Sequence, residues 1–272
     1  MSTPLRYPGG KQKIWRAVAD IIISNGLEGC EYVEPFAGGA GIAIELLNNG
    51  IVNKIHINDV NPIIRNFWRC VVTCPDEMCA KLACTPVTVK EWDKQKAILR
   101  SDSCSSLEKA FAFLFVNRTS FSGIINGGII GGRKQQGQYK IDSRYPRERL
   151  IRDIETLAAV RSKIKVTGID AGKFLQSVDK RIKNAFIYCD PPYYVKGRQL
   201  YLDYYQHDDH VKIAEILSTI NSPWIVTYDN VIEIRRIYRK YKKIPFSMQY
   251  CARFHEVGKE ILICSDNVKI KK

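Results

Sequence analysis

Six short apolar runs, five of them ending in a polar residue, limit what this chain can fold into: YVEPF (32–36), NKIHIND (53–59), KVTGID (165–170), AFIYCD (185–190), PWIVTYD (223–229) and KEILICS (259–265). Runs of this length that are apolar at successive positions read as strands buried on both faces. Helical stretches separate them. The first is followed by a glycine turn and IAIELLNNG, stopped at Gly50; the second by PIIRNFWRCVV, with Pro62 in its first turn. The alternation predicts an α/β sheet, whose functional residues gather at the carboxyl ends of the strands.

Between residues 66 and 149 the rhythm breaks. An apolar helical run, SLEKAFAFLFVN, is followed by a stretch with six glycines within residues 123–137 and with Arg133, Lys134, Lys140 and Arg144 nearby. This reads either as an inserted module with a basic hairpin that enters a nucleic-acid groove, or as an ordinary surface loop. Charge bears on the choice. The 272 residues carry a formal net charge of +14, with six basic side chains in RRIYRKYKK (235–243), and a field of that sign favours a polyanionic partner such as nucleic acid. No apolar run approaches a membrane span, and the N-terminus lacks the apolar core of a secretory signal. The nine cysteines are therefore expected in a reducing, cytoplasmic setting, and the spacing of Cys70, Cys74, Cys79 and Cys84 does not suit a zinc site. No metal is expected.

Gly38, Gly39 and Gly41 lie between the first strand and its helix. Missing side chains there let a ligand approach the backbone, and the helix start offers unpaired N–H groups. Asp59, ending the second strand, is placed to accept hydrogen bonds from ribose hydroxyls, so an adenosine-containing cofactor fits. Structural turn glycines explain the motif equally well. Lys11 follows Gly9 and Gly10 and opens an amphipathic helix with Ile14, Trp15, Val18, Ile21, Ile22 and Ile23 on its apolar side. It would pair with a ligand carboxylate beside Tyr7, or stand as a solvated lysine, which the residues alone favour.

YCDPPYY (188–194) is the most specific stretch. Two prolines behind Asp190 fix φ and remove two N–H donors, leaving a stiff, acceptor-only claw beside a tyrosine. An exocyclic amine suits it: Asp190 and the Pro191 carbonyl accept its two hydrogens while Tyr193 covers the ring. Holding both hydrogens aside directs the nitrogen lone pair at an electrophile such as a sulfonium methyl, for in-line transfer without a covalent protein intermediate. A base inside a duplex must be extruded to reach the claw. A strand-terminating turn with core tyrosines is the competing reading.

RYPGGK, VEPFAGGAG, INDVN and YCDPPYY, in this order and followed by WIVTYDN and KEILICS, resemble the motifs of the Dam-like (D12 class) site-specific DNA adenine-N6 methyltransferases. The resemblance implies a Rossmann-like S-adenosylmethionine-dependent methyltransferase sheet (1–65 and 150–272). It also implies a smaller, mainly helical target-recognition insert with a hairpin (66–149). The implied reaction moves a methyl group from S-adenosyl-L-methionine to N6 of a flipped-out adenine in double-stranded DNA. By the same resemblance Asp190, Pro191, Pro192 and Tyr193 are catalytic, and Tyr7, Lys11, Phe36, Gly38, Asp59, Asp170 and Asp190 hold the cofactor. The insert NRTSFSGIINGGIIGG departs from that of GATC-recognising members. Base contacts are expected from Arg118, Ser120, Ser122, Arg133, Lys134, Tyr139 and Arg144, with double-stranded DNA as partner, no membrane, and room for a cognate restriction enzyme. Cytosine-N4 transfer usually places Ser where Asp190 stands, so Asp190 argues against it. A non-catalytic DNA-binding protein on the same fold and an enzyme acting on RNA also compete with this reading.

Overall fold

The computed structural model describes residues 2–6, 11–195, 205–249 and 257–270. The chain forms two compact units, one from Lys11–Val60 with Thr167–Lys272 and one from Met1–Gly10 with Asn61–Val166. Tyr7 lies outside the described residues.

The first unit holds a sheet. Strand β1 (Glu31–Glu34) runs parallel to β2 (Lys54–Asn58) on one side and to β4 (Ala185–Cys189) on the other. Strand β5 (Trp224–Asp229) is parallel to β4, β7 (Val257–Cys264) is antiparallel to β5, and β6 (Lys242–Gln249) is antiparallel to β7. The unit boundary falls in β3 (Ile164–Thr167), and the seven strands are ordered β3-β2-β1-β4-β5-β7-β6. The order reverses between β1 and β4, which opens a crevice at the carboxyl ends of the central strands.

All six strands expected from the apolar runs are present; β6 is additional. Its first residues, Lys242 and Lys243, end the basic stretch RRIYRKYKK. Lysines and Pro245 belong on an outer strand, where they block pairing with another chain.

The two sheet faces differ in chemistry. Ala185, Ile187 and Cys189 of β4 join Val33, Val226, Tyr228, Ile261 and Ile263 in an apolar core closed by α8 (Ala171–Arg181), α9 (His207–Thr219) and α10 (Ile232–Ile237). The alternate positions carry Phe186 and Tyr188, stacked on Tyr32 at centroid distances of 6.4 and 6.5 Å. Strand β4 is buried along its whole length, so it shows no apolar–polar alternation in sequence. On the Tyr188 side, alternation also places Glu34, Thr227 and Glu260, and a short 3-10 turn at Lys11–Ile14 leads into α1 (Trp15–Ser24).

The second unit is built on α6 (Ser106–Thr119), which is apolar on every side and buried from Ala110 to Asn117. Ser105 and Glu108 form a reciprocal cap at its start. Helices α3 (Pro62–Thr73), α4 (Pro75–Cys84) and α5 (Val89–Arg100) surround it, and α7 (Arg147–Ala159) packs on α3 and α4. This unit contains the whole 66–149 stretch and continues to residue 166. Residues 2–6 join it: Asn117 Oδ1 accepts from the Arg6 N–H at 2.8 Å, and its amide donates to the Arg6 carbonyl at 2.7 Å. The expected hairpin is a single antiparallel bridge, Ser120 to Ile129, with turns beyond it. Gly123 is required at φ +76°, because a Cβ there would lie 2.2 Å from the Arg6 carbonyl oxygen.

No helix among the described residues is long and apolar enough to cross a membrane. No group of three or more metal-ligating side chains occurs among them.

Candidate functional site

The carboxyl ends of the central strands collect acids. Asp59 follows β2, Asp190 follows β4, and Glu34 and Asp229 close β1 and β5. Asp59 Oδ2 accepts from the Gly38 N–H at 2.9 Å, which ties the glycine turn to the second strand. Asn58 braces this edge: its amide donates to the Pro35 and Ile169 carbonyls at 3.1 and 3.0 Å, and its oxygen accepts from the Thr167 hydroxyl and the Ile169 N–H. Phe36 is half-buried and meets Tyr205 edge-on at 5.7 Å, while Asp170 is exposed and caps α8 by accepting from Lys173 N–H. Gly38 and Ala40 both adopt φ +46° ahead of α2 (Gly41–Asn48). Gly41 has a different cause from a ligand's approach, since a Cβ there would sit 2.9 Å from Gln12 Cβ.

Lys11 is not a solvated lysine; it is 4% exposed. Its Nζ donates to Asp190 Oδ1 at 2.9 Å and to the Tyr193 hydroxyl at 3.0 Å, and it forms an ion pair with Glu260 Oε2 at 2.9 Å. Tyr193 in turn donates to Glu260 Oε1 at 2.9 Å. Asp190 Oδ1 accepts a further bond from the Thr227 hydroxyl at 2.9 Å, and Thr227 meets the Tyr188 hydroxyl at 2.8 Å. Asp190 Oδ2 has no partner among the described residues, and the side chain is 22% exposed. An open stacking face is expected of Tyr193 from the sequence. Its phenol is instead anchored inward, and the ring is buried.

The backbone behind the prolines is fixed as well. Asp229 accepts from the N–H groups of Tyr194 and Val195 at 2.9 and 3.0 Å, so β5 holds the segment that leaves β4. Burial raises the Glu34 carboxyl to about 8, although the Tyr32 hydroxyl and the Ala43 N–H both donate to it. Burial also raises the Glu260 carboxyl, against the opposing pull of Lys11. His210, whose Nδ1 meets the Tyr228 hydroxyl at 3.0 Å, is pushed down to about 4 by burial.

In the helical unit the residues expected at DNA differ in accessibility. Ser120 is buried, its hydroxyl accepting from Trp92 Nε1 at 3.1 Å and its carbonyl from Arg6, so its side chain supports the turn from inside. Arg118 donates to the Arg144 carbonyl at 2.7 Å, and burial lowers it to about 10. Ser122 is half-buried at φ +54°. Arg133 forms a two-pronged pair with Asp93 at 2.8 and 2.9 Å, and Lys134 is exposed. The Arg144 guanidinium lies 5.7 Å from the centre of the exposed Tyr139 ring. A cavity of about 410 Å³ lies beside Trp92, Lys96, Arg100, Asn126 and Arg133. Phe121, which carries no motif in the sequence, is 59% exposed between Ser120 and Ser122.

Sequence reasoning also missed Asn58, Thr227, Asp229 and Glu260. The last had a signal: an acid inside an apolar strand run must find a partner when buried.

Comparison with known proteins bears on this geometry. The family model described as D12 class N6 adenine-specific DNA methyltransferase matches residues 7–251. The type II methyltransferase M.MjaIII of Methanocaldococcus jannaschii is 24% identical over 231 residues, covering 78% of this chain and 77% of the relative. The retron Ec67 DNA adenine methylase of Escherichia coli is 24% identical over 249 residues, covering 89% and 82%. The DNA N-6-adenine-methyltransferase of Escherichia phage P1 is 23% identical over 226 residues, covering 78% of this chain and 28% of the relative.

Proposed function

Because the chain belongs to the D12 class N6 adenine-specific DNA methyltransferase family, we propose that Asp190, Pro191, Pro192 and Tyr193 form its transfer site. Its reaction places a methyl group on N6 of adenine in DNA. One observation carries the assignment. Two donors hold Asp190 Oδ1 at the end of β4, while Oδ2, directly ahead of two prolines, has no described partner. Oδ2 and the Pro191 carbonyl accept the two hydrogens of the target amine. The nitrogen lone pair is then left pointing away from the protein oxygens, towards the methyl donor. Tyr193 supplies the neighbouring ring, fixed at its phenol by Lys11 and Glu260.

The methyl donor we propose is S-adenosyl-L-methionine, which supplies an electrophilic sulfonium methyl when bound. Asp59 and the glycine turn fit its adenosine part: the carboxylate stands at a strand end beside backbone that carries no Cβ at Gly38, with the Phe36 ring forming an apolar wall. Asp170 lies in the same unit, at the start of α8. Lys11 enters this reading as the cation that orients Asp190. Double-stranded DNA is the proposed substrate, with the target base extruded. The helical unit reads the site through the accessible Arg133, Lys134, Tyr139 and Arg144, and Phe121 offers a ring on which a base can stack. Cytoplasmic location and a cognate restriction enzyme complete the proposal.

Methyl transfer from labelled donor to duplex DNA, followed by digestion to nucleosides, tests it. Asp190→Ala is expected to lower kcat about 100-fold or more while DNA affinity changes little. Asp190→Asn, which keeps one acceptor oxygen, falls between. Near-wild-type turnover by Asp190→Ala, or methyl recovered on cytosine N4, would overturn the assignment.

A further inference from the structure

Glu260 lies in KEILICS, far in sequence from the YCDPPYY stretch that forms the transfer site, yet its two oxygens hold two of that site's residues. It is 1% exposed. Oε1 accepts the Tyr193 phenol proton at 2.9 Å, and Oε2 stands 2.9 Å from Lys11 Nζ. Lys11 closes the circuit by donating to the Tyr193 oxygen at 3.0 Å and to Asp190 Oδ1 at 2.9 Å. The phenol has a single proton, given to Glu260, so its lone pairs are the ones that meet the ammonium. Four polar groups from three stretches of chain thus fix one another: the turn before α1, the segment after β4, and β7.

The arrangement also divides a charge. Lys11 stands between two carboxylates, and the pull of Glu260 opposes its collapse onto Asp190. Were Glu260 neutral, the ammonium would turn wholly to Asp190, and Oδ2 would be drawn into the pair. We propose that Glu260 is a positioning residue of the transfer site, which sets the Tyr193 ring and keeps Asp190 Oδ2 open by holding Lys11 away from it. The proposal rests on the assignment of Asp190 and Tyr193 made above.

Glutamine at 260 is nearly isosteric but cannot serve both contacts, because one end of the amide must present N–H to a donor. Glu260→Gln is expected to lower kcat about tenfold or more, with KM for DNA and for S-adenosylmethionine within about threefold of wild type. Glu260→Asp, which keeps the charge, recovers part of the loss. The pH profile separates this from a merely structural role. Glu260 faces Lys11, Asp190 and Tyr193, with Asp229 its cross-strand neighbour on β5, and burial lifts its carboxyl above the usual range. Wild-type kcat should therefore fall with acid at a pH above that range, and Glu260→Gln should lose that limb while staying low throughout.

Should Glu260→Gln fail to fold, Tyr193→Phe removes the same tether from the other side and should show a comparable loss in kcat. Asp190→Ala is measured in parallel. Loss in Asp190→Ala with kcat and acid limb unchanged in Glu260→Gln, or with KM alone raised, overturns the role of Glu260. Unchanged turnover in Asp190→Ala overturns the reading of the site on which it rests.

Discussion

The two oxygens of Asp190 have unequal surroundings, and Thr227 is the neutral half of the reason. Its hydroxyl lies between Asp190 Oδ1 and the Tyr188 phenol, both within 2.9 Å. Thr227→Val keeps the shape but leaves the fully buried Tyr188 hydroxyl without its partner, so unfolding by denaturant should show a loss of about 1–3 kcal/mol. Turnover should fall with it, because Asp190 loses one of its two fixing bonds. Glu34 gives a prediction in pH. Its folded carboxyl, raised to about 8 by burial, keeps a proton that the unfolded chain releases above the ordinary 4.5. The folded state binds more protons there, so this group's contribution to stability declines as pH rises through that window and levels above about 8. His210, depressed to about 4, acts in the opposite sense between that value and 6.5. The clean interval is therefore pH 6.5 to about 8, over which the melting temperature of the wild type should fall more than that of Glu34→Gln.

Among elements, the glycine turn illustrates why a motif can be legible while its causes are not. The strand, turn and helix follow from VEPFAGGAG and from the apolar period behind it. Gly38, whose N–H meets Asp59, stands between strand and helix as its motif implies. Gly41 is small for a neighbour distant in sequence: Gln12, which follows Lys11 and donates to Glu45 at 2.7 Å. Gly41→Ala should push the Lys11–Ile14 turn outward, costing about 1–3 kcal/mol by denaturant unfolding and lowering methyl transfer beyond what the lost stability explains. Strand β6 was hidden because edge strands are written in lysine and proline, which imitate a loop. The same physics concealed Lys11. Its burial depends on acids more than a hundred positions away in sequence, and no local pattern carries that information.

For the molecule as a whole, the net charge of +14 pointed to nucleic acid, and family membership makes DNA the substrate. Release of counterions from the phosphates predicts that DNA affinity falls linearly on a log–log plot against salt, by at least about tenfold between 50 and 200 mM, as fluorescence anisotropy would record. Charge revealed nothing about how the basic side chains are engaged: the exposed Arg133 is already paired with Asp93, and Arg118 is drawn into its own unit. The fold class was readable because each apolar run is local, whereas the acid cluster is assembled from strands distant in the chain. That assembly sets a timetable during synthesis. Strand β7 inserts between β5 and β6, and it brings Glu260, the second of the two carboxylates that Lys11 pairs with. The Lys11–Glu260 ion pair therefore forms only after β7, which follows the six other strands in the chain, has been made and has slotted between its neighbours.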